Sequence, residues 1–86
     1  MTRLLTRDNR IEVRVSESGE PVSVAWQGEV MRVVTIFNAW KLETRWWEEA
    51  AISRRYYMVG LAGGLLLDIY RDALQDGDWF IERVWD

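Results

Sequence analysis

Period-two alternation, cut at short intervals by turn residues, constrains this chain more than any other feature. Arg10-Ile11-Glu12-Val13-Arg14-Val15 alternates cleanly, so an extended backbone puts Ile11, Val13 and Val15 on one face. Ser16 to Pro21 then supplies turn chemistry centred on Ser18-Gly19, and Val22 to Trp26 resumes the alternation. Gln27-Gly28 reads as a two-residue hairpin turn with the glycine at positive φ. Closing the hairpin there sets Trp26 opposite Glu29, Val24 opposite Met31 and Val22 opposite Val33. Val22, Val24, Met31, Val33 and Phe37 then share the face expected to enter the core. Ser23, Ala25, Val30, Arg32 and Val34 take the other face.

Leu42 to Ser53 breaks the rhythm, because Glu43 to Ala51 has no β-branched run. Thr44 is a candidate cap for one or two helical turns, with Glu48 in the first turn, and an irregular connection is the alternative. Arg54 to Leu61 reads as a strand, Gly63-Gly64 as the turn, and Leu65 to Arg71 as the return. That hairpin is expected to place Tyr56, Met58, Leu67 and Ile69 on one face. Tyr57, Val59, Leu61, Leu66, Asp68 and Tyr70 fall on the other. Asp76-Gly77-Asp78 makes a further turn before a last strand, Trp79 to Trp85, where Trp79, Ile81 and Trp85 compete with Phe80 and Val84 for the inner face. A bulge would reconcile them. The fold expected is mostly β: five to six short antiparallel strands in a twisted, partly open small barrel, with one short helical or irregular insert around 43–52. Residues 1–9 read as a flexible N-terminal arm ahead of one small β domain, 10–86.

With 86 residues the chain is near the lower end of what folds without staples, and it has no cysteine for a disulfide or a thiolate metal site. Six Trp, three Tyr and two Phe compensate, since each can bury roughly 150–250 Å². The formal net charge of −3 gives no global attraction to polyanions. Arg3, Arg7, Arg10 and Arg14 nonetheless make the start basic, while Asp68, Asp72, Asp76, Asp78, Glu82 and Asp86 make the end acidic. No apolar run reaches the roughly 18 residues of a membrane span, and Leu4-Leu5 followed by Arg7, Asp8 and Arg10 leaves no signal-peptide core. A cytoplasmic protein without membrane attachment is expected.

Without histidine or cysteine, the familiar nucleophile–base pairs are missing, and Ser16, Ser18, Ser23 and Ser53 lie in no nucleophile elbow. Gly60-Leu61-Ala62-Gly63-Gly64 lacks the Lys-Ser/Thr of a phosphate loop and reads as a hairpin turn. Asp72, Asp76 and Asp78 match no calcium-loop register and read as solvated turn residues. Glu48 and Glu49 diverge by about 100° on a helix, so they do not converge on one substrate bond. The chain is expected not to be an enzyme and to need no metal or cofactor.

Binding is better supplied. Trp46-Trp47 and Arg54-Arg55-Tyr56-Tyr57 gather aromatics and arginines in a short stretch. Bases of single-stranded nucleic acid stack on exposed aromatics while arginines neutralise phosphate, and Trp, Tyr and Arg also dominate protein interfaces. The small size of the domain argues that much of this cluster fills the core instead. Arg54 and Arg55 take opposite faces of their strand, as do Tyr56 and Tyr57, so one set can face the core and the other an open surface.

The order of landmarks resembles a small domain found at the C-terminus of ImuB-like proteins, the mutasome homologues of Y-family polymerases, and in free-standing short proteins. The matching residues are Trp26-Gln27-Gly28, Val33-Val34, Trp46-Trp47, Arg54-Arg55-Tyr56-Tyr57-Met58-Val59, Gly63-Gly64, Leu67-Asp68-Ile69-Tyr70-Arg71-Asp72 and Trp79-Phe80-Ile81. The resemblance implies a non-catalytic accessory module tied to DNA repair or translesion synthesis, and it carries no active site to map here. The chain departs from it in ending Glu82-Arg83-Val84-Trp85-Asp86, where the fused versions carry a His-Gly pair.

The first expectation is therefore a protein-interaction module of a DNA-repair assembly, contacting its partner through Trp46, Trp47, Arg54, Arg55 and Tyr57, with Trp26 and Arg32 beside them. The alternative is a single-stranded nucleic-acid binder using the same cluster. Exposed strand edges and surplus tryptophan are also compatible with a homodimer.

Overall fold

The computed structural model describes residues 2–4, 9–44 and 51–85. They form β1 (Thr2–Leu4), β2 (Arg10–Val15), β3 (Pro21–Trp26), β4 (Glu29–Glu43), β5 (Ser53–Leu61), β6 (Leu66–Asp72) and β7 (Asp78–Trp85). Among the described residues there is no helix. The strands pair in the order β1-β7-β2-β3-β4-β5-β6, and β7 also pairs with β6, which closes the ring into a small all-β barrel. Every pairing is antiparallel. The expected insert centres on residues 45–50, which lie outside the described residues. On its flanks, the Thr44 N–H donates to the Ile52 carbonyl at 2.8 Å, and the Thr44 hydroxyl accepts from the Ile52 N–H. This hydroxyl thus ties the ends of β4 and β5 together.

Strand β7 is the hub. One side pairs with β6 along most of its length; the other takes β1 against Arg83–Trp85 and β2 against Trp79 and Phe80. Thr2–Leu4, read from the sequence as part of an arm, is thus a strand. Between these two pairings Asn9 accepts from the Ile81 N–H and donates through Nδ2 to the Ile81 carbonyl, both at 2.8 Å. The ring is splayed on the far side. β4 pairs with β3 only through Glu29–Arg32, then continues beside β5 from Val33 to Glu43.

Inside the barrel lie Ile11, Val24, Val59, Leu61, Leu67, Ile69, Ile81 and Val84, with Tyr57 and Trp79 at one end. Val13, Trp26, Met31, Val33 and Ile36 pack against them. Ile69 and Ile81 sit opposite one another and are fully buried. Burying each such side chain stabilises the fold by about 1.5–3 kcal/mol.

The Gln27-Gly28 hairpin forms in the expected register, Trp26 opposite Glu29 and Val24 opposite Met31. Three expectations about facing residues need correction. The β5–β6 connection closes on Leu61 and Leu65, whose backbone bond spans 2.8 Å, so Ala62 joins Gly63 and Gly64 in the loop. That shifts the register by one residue: Tyr57 faces Ile69 and Val59 faces Leu67 within the core, while Tyr56 faces Tyr70 outside. In β4, irregularities between Val33 and Thr35 and between Ile36 and Asn38 turn Ile36 inward and leave Phe37 exposed. Val22 is exposed as well, because β4 has parted from β3 before reaching it. In β7 the expected bulge is present. The register steps from Arg83 opposite Asp68 to Ile81 opposite Ile69, so Glu82 is extra and both Ile81 and Val84 point inward.

Candidate functional site

Because the strands alternate in direction, the connections 16–20 and 73–77, the end of β4 and the start of β5 lie at one end of the barrel and the turns at 27–28 and 62–64 at the other. Arg54 and Arg55 belong to the first end. There two layers meet, one on the outer wall and one in the mouth.

On the outer wall, pairing aligns Trp40, Tyr56, Tyr70 and Phe80 across β4, β5, β6 and β7. Their rings form a continuous ladder, with centroids 5.3, 5.1 and 5.3 Å apart in sequence. Arg10 of β2 stands opposite Phe80 and extends the row. Arg54 covers the ladder: its guanidinium carbon lies 4.6 Å from the Tyr70 ring centroid, and its Nη1 donates to the Tyr56 hydroxyl at 3.3 Å. The Tyr56 hydroxyl in turn donates to Glu82 Oε1 at 3.3 Å. Glu82 is the bulge residue of β7, so the extra residue aims a carboxylate at a strand two places away. Burial pushes the Tyr56 phenol above its ordinary pKa, with Arg54 opposing the shift and Glu82 adding to it. Arg54 is held above its ordinary value as well, first by the Tyr56 hydrogen bond, with desolvation opposing.

Asp72 anchors this arrangement and is no solvated turn residue, since only 3% of it is exposed. Its Oδ2 accepts from Arg54 Nε at 3.3 Å and from Gln75 Nε2 at 3.2 Å, and its Oδ1 accepts from the Leu74 N–H at 2.9 Å. One carboxylate thus fixes both the 73–77 turn and the guanidinium.

In the mouth, the same register lines up cations. Lys41 stands opposite Arg55, and Arg55 stands opposite Arg71. All three are exposed and border an open hollow of about 570 Å³, together with Glu43, Ser53, Ala73 and Asp76. Arg71 is held by its Nε, which donates to the Gly77 carbonyl at 3.0 Å, and Lys41 lies 3.0 Å from Glu43. Among the described residues Arg55 has no acidic side chain within ion-pair distance. Like charges directly opposite on neighbouring strands repel, so Arg55, flanked by Lys41 and Arg71, disfavours this pairing, and Glu43 offsets the repulsion only at Lys41.

The residues expected to form one contact surface are therefore dispersed. Trp46 and Trp47 lie outside the described residues. Arg54 packs on the wall and also borders the hollow, while Arg55 belongs to the mouth. Tyr57 is a core residue, 3% exposed, with its ring 5.6 Å from that of Trp79, so it is removed from the contact set. Trp26 packs against the core at the opposite end, beside the 27–28 turn, and Arg32 is exposed there with its carbonyl accepting from the Ala62 N–H at 2.8 Å. Lys41, Arg71, Trp40 and Tyr70, absent from the sequence-based set, are what the fold brings together with Arg54 and Arg55.

Among the described residues, no group of three His, Cys, Asp or Glu side chains could hold a metal ion, and no helix is long and apolar enough to cross a membrane. No family model, characterised protein or solved structure matches this chain.

Proposed function

We propose that this protein is a non-catalytic interaction module whose β4 edge receives an extended segment of a protein partner. The observation that carries this reading is the stretch from Thr35 to Glu43, which pairs with β5 on one side and with no strand among the described residues on the other. Such an edge offers unpaired backbone groups and is a ready template for strand addition. Phe37, Trp40 and Leu42 are exposed along it, at 62%, 40% and 42%, and would supply side-chain contacts. Asn38 already blunts one donor, since its Oδ1 accepts from the Ala39 N–H at 2.9 Å. The resemblance to the ImuB-associated domain makes a DNA-repair assembly the first place to look for that partner.

A stacking surface for single-stranded nucleic acid has less support. Tyr56 and Tyr70 are covered and Tyr57 is internal, which leaves Phe37 and Trp40 as the exposed aromatics among the described residues. The test is capture from cells with the wild type beside Ala39→Pro and Phe37→Lys, each first checked for an unchanged melting temperature. A repair or bypass protein retained by the wild type and lost by both variants supports the edge reading. Equal capture by all three would move the interface elsewhere.

A further inference from the structure

We propose that Lys41, Arg55 and Arg71 form a phosphate-binding site in the barrel mouth, with Lys41 drawn from the same β4 stretch whose outer backbone edge is open among the described residues. The argument starts from repulsion. Neighbouring strands lie about 4.8 Å apart, so the row roots three cationic side chains within about 10 Å of backbone. The chain has 14 acidic residues against 11 basic ones, so nothing in its composition obliges cations to meet cations. At this position an acidic residue in place of Arg55 would stabilise the sheet on both sides. An arrangement that disfavours its own strand pairing and sits in an open hollow is the signature of a site organised for a ligand.

The geometry selects the ligand class. Three cationic side chains from three adjacent strands outnumber the charge of a single carboxylate and suit a group carrying several negative charges. Guanidinium groups present forked donors that match phosphate oxygens, and lysine contributes a point charge. Arg71 is pre-positioned: its Nε is spent on the Gly77 carbonyl, which leaves the terminal nitrogens for a ligand. Gly77 is part of the site for the same reason, because a Cβ there would lie 3.0 Å from Arg71 Nη2. Arg55, central in the row and without an acidic partner among the described residues, carries the largest share. Glu43 and Asp76 border the hollow too and set an upper limit on affinity, so Glu43→Gln tightens binding. The phosphates can belong to a free polyphosphate-bearing molecule or to a nucleic-acid strand.

Calorimetric titration separates these sources. Inorganic tripolyphosphate, a mixed-sequence single-stranded oligonucleotide and a poly-glutamate peptide of matched charge are each titrated at about 50 mM and about 200 mM salt. We expect saturable tripolyphosphate or oligonucleotide binding at the lower salt, weakened about tenfold or more by Arg55→Ala and by Arg71→Ala. Arg55→Ala should keep or raise the melting temperature, which a merely structural arginine would not do. Tighter binding of the oligonucleotide identifies a strand as the source, and tighter binding of tripolyphosphate a free ligand. Absence of binding by both, indifference to the two arginine variants, or equal binding of poly-glutamate would overturn the assignment.

Discussion

The indole of Trp40 stacks on the phenol ring of Tyr56, with centroids 5.3 Å apart and planes inclined by only 1°. The two stand directly opposite one another on β4 and β5, so the stack is a cross-strand pair that fixes the register of the long hairpin. Trp40→Ala removes both the stacking and the cover of a nearly buried tyrosine. We expect a loss of about 1–3 kcal/mol, combining the pair interaction with lost burial. Urea denaturation should show a lower midpoint at an unchanged slope. A variant as stable as the wild type would mean that Tyr56 is held by Arg54 and Glu82 alone.

Alkali should weaken the fold through Tyr56. Its phenol is pushed up, mainly by burial, so between the unfolded and folded pKa values the native state holds a proton that the unfolded chain has released. Stability then falls as pH rises. This contribution is complete below the unfolded value of about 10 and is lost as pH climbs through the folded value. Tyr56→Phe should be less stable at neutral pH, having lost its bonds to Arg54 and Glu82, yet flatter as pH rises above the unfolded value of about 10. Denaturation midpoints measured across that rise decide it. Parallel slopes for variant and wild type would assign the alkaline loss to another group.

Asp72 ties a turn to a cation, and its variants should separate the two roles. Asp72→Ala strips partners from Arg54, Leu74 and Gln75 together and should cost about 2–4 kcal/mol, since Asp72 is buried while Arg54 is partly screened. Asp72→Asn keeps an acceptor for the Leu74 N–H but gives up the ion pair, and should cost about half as much. Thermal melts of both, with amide exchange at Leu74 as the local reporter, test this. Equal losses would place all the energy in the ion pair.

How the chain announces these features differs from one to the next. The Gln27-Gly28 hairpin was legible because a two-residue turn fixes its own register, and the conflict among Phe80, Ile81 and Val84 forecast the β7 bulge. The β5–β6 register was not legible, since Ala62-Gly63-Gly64 offers either a two- or a three-residue loop. The two-residue choice would put Arg55 opposite Asp72, an unremarkable ion pair. The actual loop puts it opposite Arg71 and exposes the row of cations. Tyr57 was misplaced among contact residues because parity alone does not say which face of a strand is the inside. Phe37 and Ile36 exchange roles through two irregularities in β4 that no local residue type signals.

Gln27 occupies a conformation that suits it poorly. Its φ is +53° and that of Gly28 is +78°, so both central residues of the two-residue turn are left-handed. An L-residue with a long side chain loses about 1 kcal/mol there, whereas asparagine tolerates the region and glycine has no Cβ to clash. Gln27→Asn should therefore stabilise the protein by about 0.5–1 kcal/mol. Gln27→Gly should gain less, because the unfolded chain becomes more flexible at the same time. Gly28→Ala should lose about 1–2 kcal/mol, and not through collision, since a Cβ there meets nothing within 4 Å. The turn holds Trp26 against Glu29 and lies far from the mouth, so these changes should move the melting temperature while leaving anion binding untouched. A stabilised Gln27→Asn variant with weakened tripolyphosphate binding would show that the two ends of the barrel are coupled through β4.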